Sequence, residues 1–465
     1  MLGKPGGVPC YCMSLHPLPL YSRHRALAAG GTPQTSPGGS PRRRKRLTPS
    51  PRNGDPPVTC RYYLPSRCFS ASSFFFCRIG HRRAALGAYI FEEHRAGPAR
   101  RCSFRPQHSM SDYTCSQTMR DFLRELPKCE HHVHLEGTLE PDLLFPLAKR
   151  NNVSLPADFP SSAEALHERY NRFADLADFL HFYYIGTNVL LLEQDFFDLA
   201  WAYFQRAAAQ GLRHAEMFFD PQSHTTRGVA LDAVVGGFRR ACERAETELG
   251  VTSKLIMCLL RHLPVPECLA TVQSAQPFFE SGTVQGLGLD SAERPFPPEL
   301  FTECYEQARR FQPELRLTAH AGEEGPASYV TTALDLLGAQ RIDHGVRCVE
   351  DAALVARLAS SDTLLTVCPL SNVRLQVVQH VRELPLQKLL DAGVPFSLNS
   401  DDPAYFGGYV LDNYVAVQQA FGWSRQTWAR VAGAAVRGSW CDDKRKTELL
   451  DQIERVVAKY EAIAD

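Results

Sequence analysis

The sequence predicts a (β/α)8 barrel behind a basic N-terminal extension, and three observations carry that reading. Seven short apolar runs recur between residues 215 and 398, and with a first strand in the stretch 128–138 they make eight. Helical patterns separate most of them, the alternation expected of strand–helix units. No Gly-x-Gly-x-x-Gly or phosphate loop follows the first strand, which disfavours a doubly wound sheet.

The extension comes first. The whole chain has zero formal net charge, but residues 1–115 hold 18 Lys and Arg against 4 Asp and Glu (+14), leaving 33 against 47 (−14) for the rest. The same stretch holds 14 of the 32 prolines and shows no sustained helical or strand period. Residues 1–118 are therefore expected to be disordered, with the barrel spanning 119–465. The run Arg42–Arg46 has the composition of a nuclear-import or nucleic-acid contact, though a solvated charge cluster is the favoured reading. Phe74–Cys77 is too short for a membrane span. Met110 and Met119 are alternative starts that would leave most of the extension untranslated. The 15 scattered cysteines include no Cys-x-x-Cys pair and follow no secretory signal, which places the chain in a reducing compartment, cytoplasmic or also nuclear. The acidic body makes nucleic acid an improbable partner for the barrel, and no membrane segment is expected.

The first strand enters at Leu123–Pro127 and carries His132 and His134. The remaining strands are read at Ala215–Phe219, Leu255–Leu260, Val284–Leu289, Leu315–Ala319, Arg341–His344, Thr363–Val367 and Pro395–Leu398. Helices are read at Glu140–Arg150, across one long region Glu164–Leu192, and at Asp195–Gln210, which Gly211 stops. Others follow at Leu231–Gly250, Val265–Phe279, Pro298–Phe311, Tyr329–Leu337, Glu350–Ala359 and Leu384–Ala392. Ser424–Asp465 reads as closing helices, and Val410–Leu411 with Val415–Phe421 as an apolar surface suited to a homo-oligomer.

Barrel chemistry sits at the C-terminal strand ends. Those ends carry His132-Val-His134-Leu-Glu136-Gly137, His320-Ala-Gly-Glu323-Glu324, Asp343-His344-Gly345, Cys368-Pro-Leu-Ser371-Asn372 and Asn399-Ser-Asp401-Asp402-Pro403. Residues two apart on a strand share a face, so His132 and His134 converge. Any one of these groups alone has a plainer explanation: His320 as a hydrogen-bonded core histidine, Asp401-Asp402-Pro403 as a helix cap. Three imidazoles and a carboxylate together suit one zinc ion with a position left for water.

In this order and spacing, HxHxxG, HAGE, HG and SxDDP resemble the adenosine and adenine deaminases of the metal-dependent amidohydrolases, from about residue 122 to the C-terminus. The resemblance implies that His132, His134, His320 and Asp401 ligate one Zn2+. It implies that Glu323 meets the purine N1, that His344 stands beside the water the metal activates, and that Asp402 accepts a hydrogen bond from the ring. His131, where many relatives have Leu, is expected to face away from the metal. The absence of Lys from Gly288-Leu-Asp290-Ser291 fits a single-metal site. The stretch 216–229 is similar to the fungal-type adenine deaminases, so the substrate is expected to be adenine, in purine salvage. The alternative is adenosine, an N6-substituted adenine or AMP. Glu136 and Asp290 are expected to border the substrate, with Glu136 and the strand-two loop narrowing the space a ribose would fill. Glu293 stands near the position of a glycine in adenosine deaminases, so the N3 edge of the purine must be held differently. Arg227 and Arg294 are the candidates for a phosphate.

Overall fold

Alternation and β-branched or aromatic residues produce eight parallel strands in the computed structural model, which describes residues 113–463. They are β1 Lys128–Glu130, β2 Leu212–Phe219, β3 Thr252–Leu260, β4 Gly286–Asp290, β5 Arg316–Ala321, β6 Arg341–His344, β7 Leu364–Val367 and β8 Phe396–Leu398. Each pairs with the next in chain order. Helices between them bury their apolar faces on the outside of the sheet, so the fold is the expected (β/α)8 barrel. The disorder expected for the extension, with Arg42–Arg46 and Phe74–Cys77, concerns residues outside those described.

The barrel closes where its two shortest strands meet. β1 and β8 have three residues each, and the ladder continues beyond them through bridges Val133–Asp401 and His134–Phe218. Side chains complete the seam: the His131 N–H donates to Asn399 Oδ1 (2.8 Å), and Ser400 donates both its N–H (2.9 Å) and its hydroxyl (2.6 Å) to Glu130 Oε1. The Tyr203 hydroxyl donates to the other Glu130 oxygen at 2.6 Å. His132 and His134 therefore lie just past the regular strand, in an extended segment held by strand-like bonds.

The interior is layered. Near the N-terminal strand ends, Arg341 on β6 reaches across to Glu216 on β2 (2.5 Å) and stacks on Trp440, while His214 lies 2.9 Å from the same carboxylate. Above this charged floor sits a small apolar layer of Phe218, Ile256 and Cys258. The polar groups of the C-terminal rim lie above that layer.

Three expectations are corrected. The long helical region is two helices, Ala163–Tyr170 and Leu176–Thr187, because Ser162 and Asp175 each cap a new N-terminus by accepting backbone N–H groups. The folded chain begins before 119: Ser116 caps a helix Gln117–Glu125, and the Tyr113 N–H donates to Gln419 O. The apolar run at 410–421 is not a free surface. In helix Val410–Phe421 the residues Val410, Leu411, Tyr414, Val415 and Val417 are buried within this chain.

Arg341→Met leaves Glu216 buried without its cation. Unfolding in urea should show a loss of about 3–5 kcal/mol, and a variant as stable as the parent would show that the floor contributes nothing to stability.

Candidate active site

The C-terminal rim gathers the residues that the sequence marked as metal ligands together with Asp290, Glu323, His344 and Asp402. His132 and His134 arrive from the end of β1, Asp290 from β4, His320 from β5, His344 from β6, and Asp401 and Asp402 from just past β8. All of them are buried. His344 (φ 62°) and Asp401 (φ 65°) hold left-handed backbone, which costs roughly 1–3 kcal/mol at a non-glycine residue. The strand ends are bent there, and the bend turns both side chains inward.

The hydrogen bonds fix which imidazole nitrogens are free. The Thr366 hydroxyl donates to Asp343 Oδ1 (3.1 Å), so at 2.9 Å it can only accept from His132 Nδ1–H. The lone pair of His132 is then on Nε2, which faces Asp401 Oδ1 at 3.1 Å without making a hydrogen bond. His320 turns Nδ1 toward Asp343 Oδ2 (3.5 Å), and His134 turns Nδ1 toward Asp290 Oδ2 (3.5 Å). Their Nε2 atoms face each other at 3.2 Å, and His134 Nε2 lies 3.4 Å from Asp401 Oδ1. Burial holds His132 and His134 below the ordinary imidazole range, so both are neutral. Lone pairs converging at 3.1–3.4 Å repel one another unless a cation lies between them. Such separations are also those of ligands each about 2.0–2.2 Å from one shared ion. The residues therefore fit a metal. His344 belongs to the same cluster, since one ligand atom each from His132, His320, His344 and Asp401 lies within 4.8 Å of the others. Phe218 floors the cluster, its ring 4.9–5.5 Å from those of His132, His134 and His320. His131 points elsewhere, to Ser397 Oγ (3.1 Å) and Ser439 Oγ (2.7 Å).

Carboxyl groups surround the space beside the cluster. Glu323 takes a hydrogen bond from Asn372 Nδ2 (2.9 Å) and lies 3.5 Å from His344 Nε2. Burial, reinforced by the Asp401 carboxylate, holds its carboxyl well above the usual range. Asp402 is pushed up in the same way, by burial and then by Asp401, and its Oδ1 has no partner. The unpartnered oxygen faces the cavity, where the sequence placed Asp402 against the purine ring. Asp220 was not marked from the sequence as a site residue. It takes a bond from the Tyr183 hydroxyl (3.0 Å), and burial and the Glu136 charge push it up to about 6. It also shares a hydrogen bond with Asp290. Glu136 is pushed up to about 7 by burial; its Oε1 accepts from the Asp220 N–H (3.1 Å) and from His224 Nε2 (2.8 Å).

Asp220, Asp290, Glu323 and Asp402 line a narrow cavity of about 50 Å³, roofed by Leu176, Phe179, Leu180 and Tyr183 from helix Leu176–Thr187; Glu136, expected at its border, is not among the lining residues and instead holds the Asp220 backbone. A larger cleft of about 700 Å³ lies at the opposite, N-terminal ends of the strands and holds none of them. Glu293 is not among the cavity-lining residues; Ser291 is.

A (β/α)8 barrel whose rim converges three histidines and an aspartate beside a buried glutamate is an amidohydrolase. The family model described as adenosine deaminase matches residues 127–456, and the chain belongs to that family. It is 62% identical over 351 residues to the adenine deaminase of Kluyveromyces lactis, covering 76% of this chain and 99% of that protein. The structure of an adenine deaminase from Arthrobacter aurescens is 45% identical, with TM-score 0.68, covering 71% of this chain and 99% of that one. An amidohydrolase from Burkholderia ambifaria with bound Zn is 26% identical, with TM-score 0.69, covering 76% and 98%.

Gly137 packs against Asp402 so closely that an added Cβ would overlap Asp402 Oδ1. Gly137→Ala should displace Asp402 and lower stability by about 1–3 kcal/mol, as overpacking does. Thermal unfolding measures the loss, and an unchanged Tm with Asp402 in place would refute the close packing.

Proposed function

We propose that the protein is a zinc-dependent adenine aminohydrolase, converting adenine and water to hypoxanthine and ammonia in purine salvage. The observation that carries this reading is the lining of the narrow cavity: it presents Asp220, Asp290, Glu323 and Asp402 beside the histidine cluster, and neither Lys nor Arg. A phosphate would meet carboxyl groups there. Arg227, one candidate to receive a phosphate, is engaged with the carbonyl oxygens of Thr187, Asn188 and Leu190 and with His224 Nδ1. On the strand-two side, Tyr183, Asp220 and the Glu136–His224 pair take up room that a sugar on N9 would need. The adenine deaminases of Kluyveromyces lactis and Arthrobacter aurescens support the same substrate.

His132, His134, His320 and Asp401 would hold the zinc. When bound, it supplies Lewis-acid activation and a water of lowered pKa beside the purine C6. His344, neutral and within 3.9 Å of Asp401 Oδ2, would take up a proton from a water adding to C6. The Glu323 carboxyl donates to N1, where the ring gathers negative charge during addition. Asp402 holds the imidazole edge through N7 and so orients C6 over the cluster. As the tetrahedral carbon collapses, His344 returns its proton to the amino group and the 6-hydroxyl proton restores the Glu323 acid, so the C6–N bond breaks to release ammonia and leave the 6-oxo ring. Nine unpaired cysteines among the described residues support a reducing compartment, cytoplasm or nucleus.

Ammonia release by the full-length chain, with adenine and adenosine side by side, tests the substrate. Adenine should be preferred by at least about a hundredfold in kcat/KM, close to 3 kcal/mol of discrimination. A preference for adenosine would overturn the reading of the strand-two side. Asp401→Ala should lose stoichiometric zinc together with activity. Changes to groups that merely orient ligands already cost about 10–100-fold in metal affinity, so full zinc in this variant, by elemental analysis, would disprove the ligand set.

A further inference from the structure

The loop after β5 carries Glu323, and a side chain from another strand holds its backbone. Glu293 follows β4 and is buried. Its Oε1 accepts the Glu323 N–H at 2.9 Å, and its Oε2 accepts those of Gly322 (3.1 Å) and Gly325 (2.9 Å). Three backbone donors converging on one carboxylate form an anion nest, here filled from within the chain. The fit leaves no spare room: a Cβ at Gly325 would overlap Glu293 Oε2.

Glu293 is itself anchored. Its carbonyl accepts the Phe296 N–H (2.9 Å). The buried Arg261, past the end of β3, donates through Nε to Phe296 O and through Nη1 to His320 O, both at 2.8 Å. The Glu293 turn and the β5 end are thus braced against each other on both sides of Glu323. Beyond its backbone, the Glu323 carboxyl has a single close hydrogen bond, from Asn372. Its aim therefore depends on how residues 322–325 are set, and Glu293 sets them without lining the cavity.

We propose that Glu293 is a positioning residue for Glu323: by clamping the N–H groups of residues 322, 323 and 325 it aims the proton donor at the substrate. The proposal rests on the adenine deaminase reading for its catalytic consequence and on geometry alone for the clamp. In Glu293→Gln the amide oxygen can take the place of Oε2 and keep two bonds. Its NH2 then confronts the Glu323 N–H, so the loss falls on the residue that delivers the proton.

The test uses the full-length, zinc-loaded parent with E293Q, E323Q and the double variant. E293Q should lower kcat for adenine about ten- to a hundredfold, the scale of a misplacement near 1 Å, and leave KM within about threefold. Added to E323Q, it should cost nothing further, because the donor it aims is already gone. Amide hydrogen exchange at residues 322–325 should quicken in E293Q while zinc content and folded fraction hold. Losses that multiply in the double variant, or that track lost zinc or lost folded protein, would reduce Glu293 to a structural role and overturn the proposal. A parent inactive on adenine would remove the substrate reading, and exchange would then decide the clamp alone: unchanged protection in E293Q refutes it. If E293Q fails to fold, Gly325→Ala dislodges the same carboxylate without removing it and should give the same kcat-directed loss.

Discussion

The seam between β1 and β8 is the constraint on which the rest of the structure depends. The Asp401 N–H donates to His132 O and the His134 N–H donates to Asp401 O, both at 3.0 Å. Two bonds thereby join stretches more than 260 residues apart and bring His132, His134 and Asp401 to one point. Neither strand is long enough to secure this by regular pairing, which is why Glu130, Asn399 and Ser400 contribute side-chain bonds. Loop-closure entropy grows only slowly with the length of chain enclosed. A handful of buried hydrogen bonds can therefore hold the ring shut.

The barrel and most of the site were legible because their signals are local. Each strand is a short apolar run, and each rim motif sits on a few consecutive residues at the end of one. What remained illegible depends on partners distant in sequence or on single caps. Asp175, by capping a second helix, divides an apolar-aromatic stretch whose periodicity alone reads as continuous. The run at 410–421 is apolar because the fold buries it, and periodicity cannot tell an internal neighbour from an external one. Asp220 and Asn372 look like ordinary turn residues until Tyr183 and Glu323 are placed beside them. Glu293 stood out in sequence for occupying a glycine's place, but what it does instead was visible only in the backbone of another strand. The raised Asp402 carboxyl was hidden for a related reason: burial and the neighbouring Asp401 set it, and neither is encoded in a motif.

The rim is arranged for charge that a bound cation would balance. Carboxyl groups outnumber cations around the cavity, and neutral imidazoles turn their lone pairs toward one another. In water such an arrangement would relax by protonation or by swinging apart. Here Thr366 and Asp343 fix the His132 tautomer and ring, Asp290 orients His134, and the bent backbone at His344 and Asp401 leaves little freedom to retreat. Preorganisation of this kind stores cost in the folded state and recovers it when charge develops in a reacting ligand. The bottom of the barrel solves its own charge problem separately, by pairing Arg341 with Glu216 inside the chain.

The thin layer of Phe218, Ile256 and Cys258 keeps these two electrostatic systems apart. Phe218 and Ile256 offer no hydrogen-bonding group and Cys258 only a buried, weakly bonding thiol, so the layer separates the ion pair below from the histidines above. The barrel is consequently a vessel open at one end. Water, substrate and the departing ammonia share the mouth beneath helix Leu176–Thr187, and whatever orders their traffic must act there.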